Sequence, residues 1–296
     1  MIPMPDQLVE QASERLLASA ARLSRDPMTE IDWEAPVDDL YGLSPEWSTL
    51  YGTAYWEELS EEQRRELSRH EAASVASTGI WFELILQQLI LRDVYSTDPA
   101  SSEFQWALTE VADECRHSIM FARATGKLGA PVYRPSFATR ELGRLFKTLA
   151  VGEAAYAAIL VAEEVLDVMQ RDWMRDPRVL PLIRQVNNIH VVEESRHMMF
   201  ARDETREALV GAGRTRRWTS ALVIAIAACV IVKAMVNPAV YANVGLDSAR
   251  AVREAAGNEH HRALMRSSCA GLMEFLGSTG LLTGPAVRIY RRVGLI

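Results

Sequence analysis

Cysteine is scarce in this chain: Cys115, Cys229 and Cys269 are its three, far apart in 296 residues. An odd, scattered count without a Cys-x-x-Cys pair excludes a disulfide framework and a thiolate zinc site, and predicts a reducing, cytoplasmic setting. Glycine and proline are sparse inside the periodic segments, which excludes an all-β design with its regular turns. No cluster of Lys or Arg stands out against a net charge of −7, so no nucleic-acid partner is expected. Residues 1–6 show neither a basic segment nor an apolar one, and no signal peptide is read there. One apolar run stands out, the 12 residues 221–232. Against the roughly 20 residues of a membrane span it reads as a buried core or interface helix, and no integral span is expected.

What is present is hydrophobic mass and helical punctuation. With 49% hydrophobic residues the chain can bury one large core, and a single all-α domain over 1–296 is expected. A first helix is predicted over 7–23. Residues 28–59, punctuated by Pro36, Gly42, Pro45 and Gly52, read as an irregular arm. The arm packs on the rest, because Trp33, Trp47, Tyr51, Tyr55 and Trp56 are poor residues to leave in water. Ser60 and Gln63 form a capping box that opens a helix to about residue 95. A second helix is expected over 103–127 and a third over 136–174. The fourth starts at Asp176-Pro177 and runs to about 210, where Gly211 closes it. These form a bundle core of about 60–211, preceded by the arm (1–59) and followed by C-terminal helices (212–296). The latter are predicted over 219–236 and 247–277, the second interrupted near Gly257, with a short basic tail at 288–292.

The chemistry sits in a repeat. Glu83, Glu114 and His117 recur as Glu163, Glu194 and His197 at a constant offset of 80 residues, and Glu110 is answered by His190. Residues three or four apart share a helix face, so each Glu-x-x-His projects together, and His190 lies in the same sector as Glu194 and His197. One Glu from each of two helices plus a Glu-x-x-His from each of the other two is the ligand pattern of a carboxylate-bridged dimetal site in a four-helix bundle. Carboxylates and imidazoles without thiolate suit two iron ions, with Mn/Fe also compatible. Asp113 and Glu193 are expected behind the ligands, accepting the free N–H of a ligand histidine, with Arg116 and Arg196 holding those acids in place.

A lone Glu-x-x-His on a helix is ordinarily a solvated face. Here both copies lie among apolar residues such as Ile119, Met120, Phe121, Met199 and Phe200, where unneutralised carboxylates would cost several kcal/mol each. Glu164 competes with Glu163, and the register selects Glu163; Glu71 is a weaker rival of Glu83. Glu110 has interior phase and reads as an acid behind the ligands, an occasional ligand, or an acid facing a gap. His70 reads as a solvated face, and His260 and His261 as surface or interface residues.

The run His190-x-x-x-Glu194-x-x-His197 resembles the p-aminobenzoate N-oxygenase family, ferritin-like non-haem di-iron proteins with an additional histidine four residues before the second Glu-x-x-His. The resemblance covers about residues 60–211 in motif detail. It implies a ferritin-like bundle and the ligand set Glu83, Glu114, His117, Glu163, His190, Glu194 and His197. It also implies O₂ as co-substrate, a peroxo-diferric oxidant, an external electron donor and a small-molecule substrate such as an arylamine. A C–H-oxidising hydroxylase or desaturase, and a ferroxidase or storage protein, are the competing readings. The roughly 60 residues before the bundle and 85 after it argue against storage. They offer a substrate pocket or the interface of a homodimer.

Overall fold

The computed structural model describes residues 5–37 and 39–296, with side chains from residue 10 onward; residues 1–4, within the segment read for a leader, lie outside it. Fourteen α-helices make up the described chain: α1 (Pro5–Leu23), α2 (Pro27–Glu30), α3 (Ala54–Glu58), α4 (Glu61–Asp93), α5 (Ser102–Lys127), α6 (Phe137–Leu149), α7 (Gly152–Arg175), α8 (Pro181–Ala208), α9 (Arg214–Ala234), α10 (Ala239–Asn243), α11 (Ser248–Ala256), α12 (Glu259–Ser268), α13 (Ala270–Ser278) and α14 (Pro285–Arg292). Among the described residues no strand forms, and one isolated parallel bridge joins Tyr41 to Val179.

The bundle is α4, α5, α7 and α8. Helix α4 pairs with α5 and α7 with α8, so each half of the sequence repeat is one helix pair. The start of α4 is the predicted capping box: Ser60 Oγ accepts from Gln63 N at 3.2 Å and Gln63 Oε1 accepts from Ser60 N at 3.0 Å. Ser101 caps α5 with a single bond, its hydroxyl accepting from Phe104 N at 3.2 Å. Both α7 and α8 are apolar on their inner faces, from Ala155 to Trp173 and from Leu182 to Ala201. The arm packs on the bundle as expected, with Trp33, Trp47 and Trp56 buried.

Several elements differ from the sequence expectation. The stretch 136–174 is two helices, α6 and α7, because Ala150 and Val151 are extended and Gly152 takes φ +53°. Arg92 of α4 holds the break: its guanidinium donates to Lys147 O at 2.6 Å and to Ala150 O, capping the last carbonyls of α6. Helix α8 begins at Pro181, not at Pro177, because residues 178–180 bond the arm instead: Tyr41 N donates to Arg178 O and Leu180 N to Tyr41 O. The predicted helix over 247–277 is broken at Cys269 as well as at Gly257, giving α11, α12 and α13. The basic tail is helix α14, packed on α9 with Tyr290 fully buried.

Two helical stretches, Glu61–Ser96 and Arg214–Asn243, are long and apolar enough to cross a membrane by length and composition. The apolar run at 221–232 is thus only part of a longer helix. Helix α4 packs along α5, and α9 lies against α7 and α14 through Ala221, Ile224, Ala225, Ala228 and Ile231. The other side of α9 leaves Val223 and Ile226 exposed.

Candidate metal centre

The phase of each bundle helix turns its ionisable residues to one axis. Glu83 comes from α4; Glu110, Glu114 and His117 from α5; Glu163 from α7; His190, Glu194 and His197 from α8; all are buried. Ligand atoms of Glu83, His117, His190 and Glu194 lie within 4.8 Å of one another, and so do those of Glu110, Glu114 and His197. The two groups adjoin. His117 Nδ1 is 3.0 Å from Glu114 Oε2 and 3.1 Å from Glu194 Oε1, while His197 Nδ1 is 2.7 Å from Glu114 Oε1 and 3.2 Å from Glu194 Oε2. Glu114 and Glu194 therefore stand between the two groups, each facing both histidines. The carboxyl of Glu163 pairs with that of Glu194, and that of Glu83 with Glu114.

The electrostatics describe a cluster with too many carboxylates for its own cations. Burial, reinforced by the charges of Glu114 and Glu194, holds Glu83 and Glu163 well above the usual carboxylate range. Burial also pushes Glu110 up to about 8. For Glu194 burial acts in the same direction, yet His197 and His190 hold it well below that range. Several polar atoms have no hydrogen-bond partner although they are sealed from water: Glu83 Oε2, Glu110 Oε2 and His190 Nε2. His190 Nε2 sits 3.5 Å from both Glu83 Oε1 and Glu194 Oε1, too far for a hydrogen bond. Orphaned donors and acceptors that converge on one point are what a cation would satisfy, and oxygen and imidazole donors without sulfur suit iron.

The histidines are already oriented. On His117 and His197 the Nδ1 atom faces the cluster and Nε2 faces outward. His117 Nε2 contacts Glu193 Oε2 at 2.8 Å, and His197 Nε2 lies 3.4 Å from Asp113 Oδ2. Each outer acid thus serves the histidine of the opposite repeat. Arg116 pairs with Asp113, while Arg196 lies between the acids, 3.6 Å from Asp113 and 3.9 Å from Glu193. Glu193 Oε1 also accepts from the backbone of Arg25 at 2.9 Å, where the chain leaves α1.

Gln170 escaped the sequence reading. Its Oε1 lies 2.8 Å from His190 Nδ1, and burial pushes His190 down to about 4, so the ring is neutral. A neutral ring donating from Nδ1 to an amide oxygen carries its lone pair on Nε2, toward the cluster. The available signal was spacing: Gln170 follows Glu163 by seven residues, two turns along the same face of α7. The rival acids lie elsewhere. Glu164 pairs with Arg202, and Glu71 accepts from Thr49 N at 2.9 Å. His70 is not on a solvated face: it is half-buried and hydrogen-bonded to the Tyr133 hydroxyl. His260 and His261 are partly exposed, with their rings against Tyr51 and Trp47.

A cavity of about 610 Å³ adjoins the cluster, bounded by α4, α6, α7 and α9, with Glu163 in its wall. Trp81, Ile85, Phe146, Ile159 and Val230 are among its apolar lining.

The model of the family described as P-aminobenzoate N-oxygenase AurF matches residues 6–280. The chain belongs to the AurF family. AurF proteins are oxygenases, and membership implies a di-iron centre, which the buried Glu/His cluster fits. The ferritin-like fold agrees with the all-helical structure. Among similar proteins, Uncharacterized protein MT0908 of Mycobacterium tuberculosis is 29% identical over 231 residues, 75% of this chain and 68% of its own length. Uncharacterized protein Mb0909 of Mycobacterium bovis is 29% identical over 214 residues, 69% of this chain and 63% of its own length. The chain thus spans about two thirds of the length of these relatives.

Proposed function

We propose that this protein is a di-iron monooxygenase that N-oxygenates an aromatic amine. The observation that carries the reading is the cluster of three histidines and buried carboxylates, His190 included, beside an apolar cavity that reaches Glu163. Glu83, His117 and His190 would hold one iron ion, and His197, Glu163 and Glu110 the other, with Glu114 and Glu194 between them. Glu110, expected behind the ligands, stands close enough to His197 and Glu114 to be a ligand itself. When bound there, two ferrous ions would supply the reducing electrons for O₂ activation.

The chain's own residues do the rest. Asp113 and Glu193 fix the outward nitrogens of His197 and His117, and Gln170 fixes the tautomer of His190. The apolar walls exclude water from the reacting atoms. The carboxylate wall at Glu163 accepts an N–H of the incoming amine and so turns the nitrogen inward. In one turnover an oxygen atom enters an N–H bond to give the hydroxylamine. The second oxygen leaves as water, with two electrons and two protons from an external reductant. The proposal includes a cytoplasmic setting, in keeping with three unpaired cysteines, and a homodimer.

The test is anaerobic loading with Fe(II), admission of O₂ with a reductant, and product analysis by mass spectrometry. Arylamine conversion to hydroxylamine or nitro product, abolished in H190A at full iron loading, is expected. Iron turnover without any amine product would favour a ferroxidase instead.

A further inference from the structure

We infer that the cavity beside Glu163 takes an uncharged aromatic amine carrying a hydrocarbon tail, and that it rejects arylamines bearing a carboxylate. This substrate class rests on the N-oxygenation reading above.

Size is the first argument. A cavity of about 610 Å³ is about four times the roughly 150 Å³ space that accommodates benzene, so one ring with small substituents leaves most of it unfilled. The walls contributed by Trp81, Ile85 and Phe146 are aromatic and aliphatic and carry no charge.

Charge is the second. The polar side chains in the lining are Glu163 at the inner end and the group Glu153, Arg216 and Ser220. Arg216 is the cation there, and it is already engaged: its Nε donates to Glu153 Oε1 at 2.9 Å and its Nη2 to Glu153 Oε2. Ser220 Oγ donates to the same carboxylate at 2.7 Å. A substrate carboxylate on the far side of the ring from the amine would meet only the Glu153–Arg216 pair, already neutral, among apolar walls. Nothing else in that lining would replace its lost hydration. An uncharged amine is the opposite case, because it gives up far less hydration on entering apolar walls.

The third is the mouth. Leu145, Leu149, Val223 and Ile226 line the cavity and are each more than a third exposed, so apolar side chains of α6 and α9 reach the surface at its outer end, with the exposed Arg216 to one side. The ligand therefore lies with its nitrogen at Glu163 and its tail running out between these two helices.

The test is ligand binding to the full chain, loaded anaerobically with Fe(II), followed by calorimetry. The probes are aniline, 4-butylaniline, 4-octylaniline and p-aminobenzoate. Affinity should rise about threefold to fourfold per methylene until the cavity is filled, and p-aminobenzoate should bind at least about tenfold more weakly than 4-butylaniline. Equal binding of p-aminobenzoate, or affinity flat with tail length, overturns the inference. A227F places a ring in the wall contributed by α9; it should weaken 4-octylaniline and spare aniline, and equal loss of both would place the tail elsewhere. Product analysis separates the two ideas. Alkylanilines that bind but are never oxygenated sink the N-oxygenation reading and leave the cavity assignment standing. Oxygenation of tightly bound p-aminobenzoate does the reverse.

Discussion

Two side chains outside the predicted ligand set carry testable consequences of their own. Gln170 matters through His190: without an acceptor at Nδ1 the ring is free to present the wrong tautomer to the cluster. Q170L should lower Fe(II) affinity by about 10-fold to 100-fold in anaerobic chelator competition, while a ring held by packing alone would leave the affinity unchanged. Glu71 matters for stability. Burial raises its carboxyl to about 7, although Thr49 and Ser48 donate to it. The folded state therefore holds a proton that the unfolded chain loses near pH 4.5, so stability falls as pH rises from about 4.5 to about 7 and then levels off. That dependence amounts to about 3 kcal/mol in order of magnitude. Thermal melts of E71Q should lose this component, and a variant with the parent's pH profile would show that Glu71 is ionised throughout.

At the scale of helices, close approach is decided by glycine. A Cβ on Gly42 would lie 2.5 Å from the Cα of Arg69 and 2.7 Å from the Ser68 carbonyl, both backbone atoms of α4 that cannot step aside. G42A should therefore lift the arm from α4 and cost about 1–3 kcal/mol in urea unfolding; an unchanged midpoint would mean that the arm contributes nothing to stability there. The same contact explains part of what the sequence left unread. The bundle helices and the burial of Glu83, Glu114, Glu163 and Glu194 were legible because local signals repeat: a capping box at Ser60, apolar periodicity, and acids at a fixed offset in apolar helix. The break between α6 and α7 was not, since Arg92 fixes it from another helix and only Gly152 marks it locally. The late start of α8 depends on Tyr41, more than a hundred residues away. The ion pair of Glu153 and Arg216, which shapes the cavity, joins α7 to α9 and has no counterpart in the repeat.

For the molecule as a whole, the cluster makes stability and metal content one question. Glu83, Glu110 and Glu163 are held above their ordinary range chiefly by burial, and His117 and His197 are raised by surrounding carboxylates against the opposing effect of burial. Without cations these groups keep protons; two divalent ions must displace them. Loading should then release protons into a weakly buffered solution, and apparent Fe(II) affinity should increase with pH across the neutral range. The ions bind the folded chain and not the unfolded one, so each site adds about 2.7 kcal/mol when free metal exceeds its Kd about 100-fold. For two sites in a chain of this size that corresponds to a rise in Tm of roughly 10 °C. Calorimetry of the chelated and the Fe(II)-loaded protein, both anaerobic, measures it. Coincident Tm values with iron bound would mean that the ions bind the unfolded chain as tightly as the folded one, and that the buried cluster is not where they are held.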